Sequence, residues 1–177
     1  MRTYYQAPVP PLHVLDGAAV NTFTSFATIA PAPGIILPAN ILEVGSEILL
    51  TADGEFSTTG TPTLGLGFFF FSAATVLAQG TPLTTITGAA SWPWHAEWQG
   101  RVRAVGTAGS IQGMGWWTLG ISLTAFSVTQ AMPATAALRT VTINTTAASE
   151  VGPGASWGTS SASNTIKVNR YSCTLIS

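Results

Sequence analysis

The chain has 177 residues, of which only 7% are Asp, Glu, Lys or Arg and 46% are apolar, and its formal net charge is −1. Six lysines and arginines without a basic run are too few to neutralise a stretch of phosphates, which argues against nucleic-acid binding. A nearly uncharged surface repels its own copies weakly, so the composition favours a component of a larger assembly.

Residues 1–18 predict an extended, proline-rich arm. Pro8, Pro10 and Pro11 interrupt the apolar residues of this segment, so we expect no signal peptide, and an extended arm could lie over a neighbouring subunit. The longest apolar run, 64–78, is shorter than the ~18–20 residues of a membrane helix, and no membrane span is expected.

Segments with strand character follow from residue 19 to the end of the chain, separated by Gly, Pro, Ser and Asn. They are 19–30, 46–58, 61–71, 81–87, 94–106, 110–122, 125–130, 138–146 and 164–176. Helical periodicity is almost missing. The pattern predicts one all-β domain over 19–177, an antiparallel β-sandwich and more specifically a jelly roll of about eight strands.

The clearest predicted hairpin is 94–122, with its turn near residues 104–111. Alternation places Trp94, Ala96, Trp98, Gly100, Val102 and Ala104 on one face of the first strand. The opposite face carries His95, Glu97, Gln99, Arg101 and Arg103. We therefore expect Arg101 and Arg103 on a solvated or interfacial side, where they are candidate contacts to a partner.

Four consecutive phenylalanines, Phe68 to Phe71, lie in the predicted strand 61–71. Phe68 and Phe70 point to the face of an ordinary core, while Phe69 and Phe71 share the other face with two glycines. Each ring left in water would forgo about 1.5–3 kcal/mol of burial. We hypothesise that Phe69 and Phe71 meet a neighbouring subunit; the alternative is that loops or the arm of the same chain cover them.

Motifs that indicate catalysis are incomplete. "GASWG" (154–158) has the G-x-S-x-G pattern with Ser156, but strand and loop residues follow it and both histidines precede it, so an inter-strand loop that packs Trp157 is favoured. His95 and Glu97 lack the later cysteines of a zinc deaminase. The single Cys173 is expected to be a small buried residue. We predict no enzyme activity, metal or cofactor.

The six tryptophans have two interpretations. Tryptophans in strand hairpins are most often anchors of a core or an interface, and that interpretation is favoured. The alternative is a platform on which a sugar ring stacks.

Three segments carry a resemblance to a known family. "ILPANILEVGSEILLTADGEFSTTGTPTLGLGFFF" (36–70), "WPWHAEWQGRVRAVGTAGSIQGMG" (92–115) and "SWGTSSASNTIKVNRYSCTLI" (156–176) resemble successive parts of a jelly-roll module in virion structural proteins of tailed phages, especially phages of actinobacteria. Related modules occur in head decoration proteins, head fibres and tail proteins.

The resemblance implies a non-enzymatic protein that decorates the outer surface of the capsid after synthesis in the host cytoplasm. It would bind the major capsid protein as a homo-oligomer, most plausibly a trimer. The predicted contact residues are Tyr4, Tyr5, Pro10, Phe69, Phe71, Arg101 and Arg103. The alternative is a tail, baseplate or head-fibre adhesin that recognises a host surface glycan through exposed aromatic residues.

Overall fold

The computed structural model describes residues 16–70, 75–126, 129–135 and 139–176, and twelve strands lie in these ranges. They are β1 (Ala27–Thr28), β2 (Ile35–Leu37), β3 (Glu47–Ser57), β4 (Thr63–Phe70), β5 (Val76–Gln79), β6 (Leu83–Thr84), β7 (Trp92–Ala104), β8 (Gly109–Leu119), β9 (Gln130–Met132), β10 (Thr140–Ile143), β11 (Ser149–Trp157) and β12 (Thr165–Ile176).

The strands form two antiparallel sheets of six strands each. Sheet 1 has the order β10–β8–β7–β3–β12, with β9 beside β8; sheet 2 has the order β1–β11–β4–β5, with β2 beside β11 and β6 beside β4. Buried apolar residues of both sheets belong to one continuous core, an arrangement consistent with a β-sandwich. The all-β prediction is confirmed.

Sheet 1 follows the alternation of its sequence. β3 buries every second residue from Ile48 to Phe56, and β7 buries Trp94, Ala96, Trp98 and Val102 while its polar residues face outwards. β7 and β8 pair as the predicted hairpin, with Trp94 opposite Leu119 and Val102 opposite Ile111. One face of this sheet is therefore core and the other is polar.

Sheet 2 departs from the prediction at Phe69. All residues of β4 after Thr63 are buried, and Phe69 is 0% exposed within the single chain. A Cβ at Gly152, its partner on β11, would lie 3.5 Å from Phe69 Cζ and 3.5 Å from Tyr171 Cε2. The chain itself covers this ring, so the hypothesis that Phe69 needs a neighbouring subunit is wrong. Phe71 lies outside the described residues.

β11 was expected to be a loop around "GASWG" and is instead an inner strand of sheet 2. Its Pro153 has no N–H to donate, and the segment beside it is Ile29, just after β1. The carbonyl oxygen of Pro153 accepts a hydrogen bond from the Ile29 N–H at 3.2 Å, so the ring nitrogen faces the same side. The contact with Ile29 therefore has one hydrogen bond instead of two, and it lies beyond the end of β1, before β2 pairs with β11.

The predicted strand 19–30 is mostly not a strand. β1 keeps two of its residues, and Val20 forms an isolated bridge with Ile166 of β12. The Gly17 N–H also donates to Val168 O at 2.8 Å, so residues 17–20 lie along the edge of β12. Residues 1–15 of the predicted arm lie outside the described residues. The described residues contain no helix that could span a membrane.

Candidate functional site

The outer face of sheet 1 carries most of the polar side chains singled out in the sequence. Strand register places Glu47, Arg101, Gln112 and Thr140 in one row across β3, β7, β8 and β10. The face is accessible because Arg101 and Gln112 point away from the core that Trp98 and Val102 enter on the other side.

A second row crosses the middle of the same face. Thr51, Glu97, Trp116 and Ala131 lie side by side on β3, β7, β8 and β9. The Trp116 ring contacts the His95 ring in a tilted arrangement, with a centroid distance of 4.9 Å and an interplanar angle of 39°. An aromatic pair therefore lies at the centre of a polar sheet face.

Trp116 differs from the other tryptophans in its exposure. Four of the six tryptophans, Trp94, Trp98, Trp117 and Trp157, are fully buried in the core, which confirms the packing interpretation for them. Trp92 is half-buried and meets Phe56 edge to face. Trp116 is 37% exposed, so the sugar-platform interpretation stays open for this ring.

Three arginines line a groove on one side of Trp116. Arg101 and Arg103 of β7 and Arg139, next to β10, border a depression of about 530 Å³ that also contains Glu47 and Glu97. Among the described residues, none of these guanidinium groups has a hydrogen-bond or ion-pair partner. Arg101 and Arg103 are exposed, as predicted, and free to bind a partner.

A second groove, of about 630 Å³, begins on the other side of Trp116 and contains Asp53, His95, Phe126 and Arg170. Here the charges are paired: Arg170 Nη2 lies 2.8 Å from Asp53 Oδ2, and Arg170 Nε donates to the same oxygen at 2.9 Å. Trp116 lines both grooves, so they adjoin on the outer face of sheet 1, and we call the two together the cleft.

Ser156 does not have the surroundings of a catalytic nucleophile. It lies within β11 rather than at a strand-to-helix turn, and Gln79 Nε2 donates to its hydroxyl at 3.0 Å. His95, by contrast, is on the other sheet. In the described ranges no group of three or more His, Cys, Asp or Glu side chains is placed to hold a metal ion.

The predicted contact residues Tyr4, Tyr5, Pro10 and Phe71 lie outside the described residues. Cys173 is buried, as predicted, and burial raises the pKa of its thiol to about 12. The sequence pattern predicted the polar face of β7 but did not bring Arg139 and Trp116 to it. Trp116 is in β8 and Arg139 directly precedes β10, so their positions depend on the register of β8 with β7 and with β10.

An exposed apolar hairpin adjoins the second groove. Residues 120–126 leave β8 and return, closed by a bridge between Gly120 and Phe126 and by the Ile121 N–H, which donates to Ala125 O at 2.8 Å. Ile121, Leu123 and Phe126 of this hairpin are 44%, 67% and 52% exposed. Ile121 and the exposed Ile86 border one shallow depression.

No protein-family model matches the chain, and neither does any curated protein or solved structure.

Proposed function

We propose that this protein is a virion structural protein of a tailed phage that binds the outer surface of the capsid as a homo-oligomer and stabilises the shell. The sequence resemblance over 36–70, 92–115 and 156–176 supports membership of this class of virion proteins. The low content of charged residues supports a role as a subunit of an assembly. The jelly-roll class and the trimer are parts of the same proposal.

The strand pairing supports the jelly-roll part. β3 pairs with β12, β4 pairs with β11, and β7 pairs with β8, so the pairs are nested from the outside of the chain inwards. Rolling up a long antiparallel ribbon produces such nesting. The pairing of β7 with β3 is an additional contact between these nested pairs.

The observation that carries the association is the exposed apolar hairpin 120–126. Three large apolar side chains within six residues are exposed to water and would gain free energy from burial in a contact. The backbone hydrogen bond between Ile121 and Ala125 holds the hairpin in one conformation. We assign this hairpin to the contact between copies of the chain, with Ile86 of the adjacent loop at its border. Many such subunits on one shell would bind by multivalency.

The copy number of the protein per purified particle tests the proposed location. Quantitative mass spectrometry against the major capsid protein is expected to give hundreds of copies, as a lattice-covering subunit requires. A few copies, or about a dozen, would contradict the capsid role and place the protein on the tail.

Sedimentation of the purified protein tests the oligomer. The triple variant Ile121→Ser, Leu123→Ser, Phe126→Ser is expected to sediment as a monomer under conditions where the unchanged protein is oligomeric. The matched control is Val44→Ser with Val105→Ser, which removes two other exposed apolar side chains. A monomeric unchanged protein, or a triple variant that still assembles, would refute the assignment.

A further inference from the structure

The cleft across sheet 1 has the form of a ligand site, and of its lining only Phe126 belongs to the hairpin assigned to the contact between copies. Trp116 lines both grooves, of about 530 and 630 Å³, and its ring contacts that of His95 at a centroid distance of 4.9 Å. Ala131, its direct neighbour on β9, is too small to shield the indole. An extended molecule could lie through both grooves and pass over this ring.

The chemistry of the cleft matches a saccharide. A sugar ring has an apolar C–H face that can stack on an indole, and hydroxyls at its edge that need hydrogen-bonding partners. Gln99, Gln112 and Glu97 provide amide and carboxylate groups around Trp116 in the first groove. A protein partner would instead favour a larger apolar centre with charges at its border.

The charges of the first groove define the saccharide further. Arg101, Arg103 and Arg139 face two glutamates, Glu47 and Glu97, which leaves a small excess of positive charge. Glu47 also accepts a hydrogen bond from Gln99 Nε2 at 3.2 Å, whereas the guanidinium groups have no partner among the described residues. One net charge is too little for the continuous phosphates of a nucleic acid but suits isolated acidic groups.

We propose that the outer face of sheet 1 binds an acidic oligosaccharide, with one sugar ring stacked on Trp116 and a carboxylate or phosphate group bound by Arg101, Arg103 and Arg139. This assigns Arg101 and Arg103 to a saccharide rather than to the capsid contact predicted from the sequence. The proposal goes beyond the capsid role and does not depend on it.

The test uses the full-length protein on a glycan array that carries bacterial surface oligosaccharides with and without carboxylate or phosphate groups. Acidic members are expected to bind, and calorimetry with the strongest of them gives the affinity. Trp116→Ala is expected to lower that affinity at least about tenfold, because the stacking surface is lost. Arg101→Gln is expected to lower it several-fold and to weaken its dependence on salt.

Two control variants match these changes. Trp92→Phe removes a tryptophan from the opposite face of β7, and Lys167→Gln removes one positive charge from sheet 1 beside Glu55, outside both grooves. Both are expected to bind within about twofold of the unchanged protein. Thermal unfolding of every variant identifies a loss of binding that comes from misfolding.

The absence of binding to every acidic member would overturn the proposal, as would an unchanged affinity of Trp116→Ala. Equal binding of acidic and neutral members would overturn the arginine assignment. Capture of a protein through this face without saccharide binding would also refute it. Copy number and glycan binding can fail separately, so each outcome identifies which proposal is wrong.

Discussion

Substitution of Gly100 tests how tightly the core of sheet 1 is filled around Trp98. A Cβ at Gly100 would lie 2.1 Å from Trp98 Cη2, and one at Gly113 on the adjacent strand would lie 2.3 Å from Trp98 Cζ2. These two glycines therefore provide the space that the indole occupies, and the ring is buried. Ordinary van der Waals contact begins at 3.4 Å, so Gly100→Ala forces the ring to move by about 1.3 Å.

Such overpacking of a filled core costs typically 1–3 kcal/mol, and the rigid indole leads us to expect about 2–3 kcal/mol for Gly100→Ala. For a chain of this length each kcal/mol lowers Tm by about 2–4 °C, so the expected decrease is roughly 4–12 °C. Near-UV circular dichroism during a thermal scan measures Tm and also reports the surroundings of the tryptophans.

Gly60→Ala is the matched control for this experiment. No heavy atom lies within 4 Å of a Cβ at Gly60, and its backbone conformation is open to other residues. We expect a change in the free energy of unfolding of less than about 1 kcal/mol, with stabilisation the favoured direction. If Gly100→Ala and Gly60→Ala have the same Tm, the packing argument is wrong.

Two further predictions concern buried titratable groups. Burial raises the pKa of Tyr171 from 10.0 to about 12, so between these pH values the unfolded chain loses a proton that the folded chain keeps, and stability falls as pH rises. Urea unfolding at several pH values measures this fall in stability, and the variant Tyr171→Phe should show a flatter pH dependence. At pH 7 the variant should lose about 1–3 kcal/mol of unfolding free energy, because the buried Ile35 N–H loses the hydroxyl that accepts its hydrogen bond at 2.7 Å. An equally steep fall in the variant would contradict the assignment. Cys173 is buried with a raised pKa, so iodoacetamide at pH 8 should leave the folded protein unmodified and react fully in urea; rapid reaction of the folded protein would refute its burial.

The long amphipathic strands could be predicted from the sequence, because the alternation of apolar and polar residues indicates which face of a strand is buried. β3, β7, β8 and β12 agree with their predicted segments to within a few residues. On β7 the polar face that includes Arg101 and Arg103 was identified correctly. Burial of one face is a local property, and local patterns report it well.

The remaining fold depends on contacts between distant segments. β11 contains Gly152, Pro153 and Gly154, which are loop residues by propensity, and it becomes a strand because β4 and the two short strands β1 and β2 enclose it. Phe69 is buried for a related reason, since its partner Gly152 leaves room beside the ring. In the same way Trp116 joins the arginines only through the register of β7 and β8.

The edges of the two sheets have a consequence for aggregation. An open, regular strand edge is a template on which further chains can polymerise, and a chain with few charges has little electrostatic protection from this. Here β1 and β2 form a broken edge separated by Pro31 and Pro33, and residues 17–20 cover part of the edge of β12. Where these edges are interrupted or covered, addition of a strand from another chain is hindered.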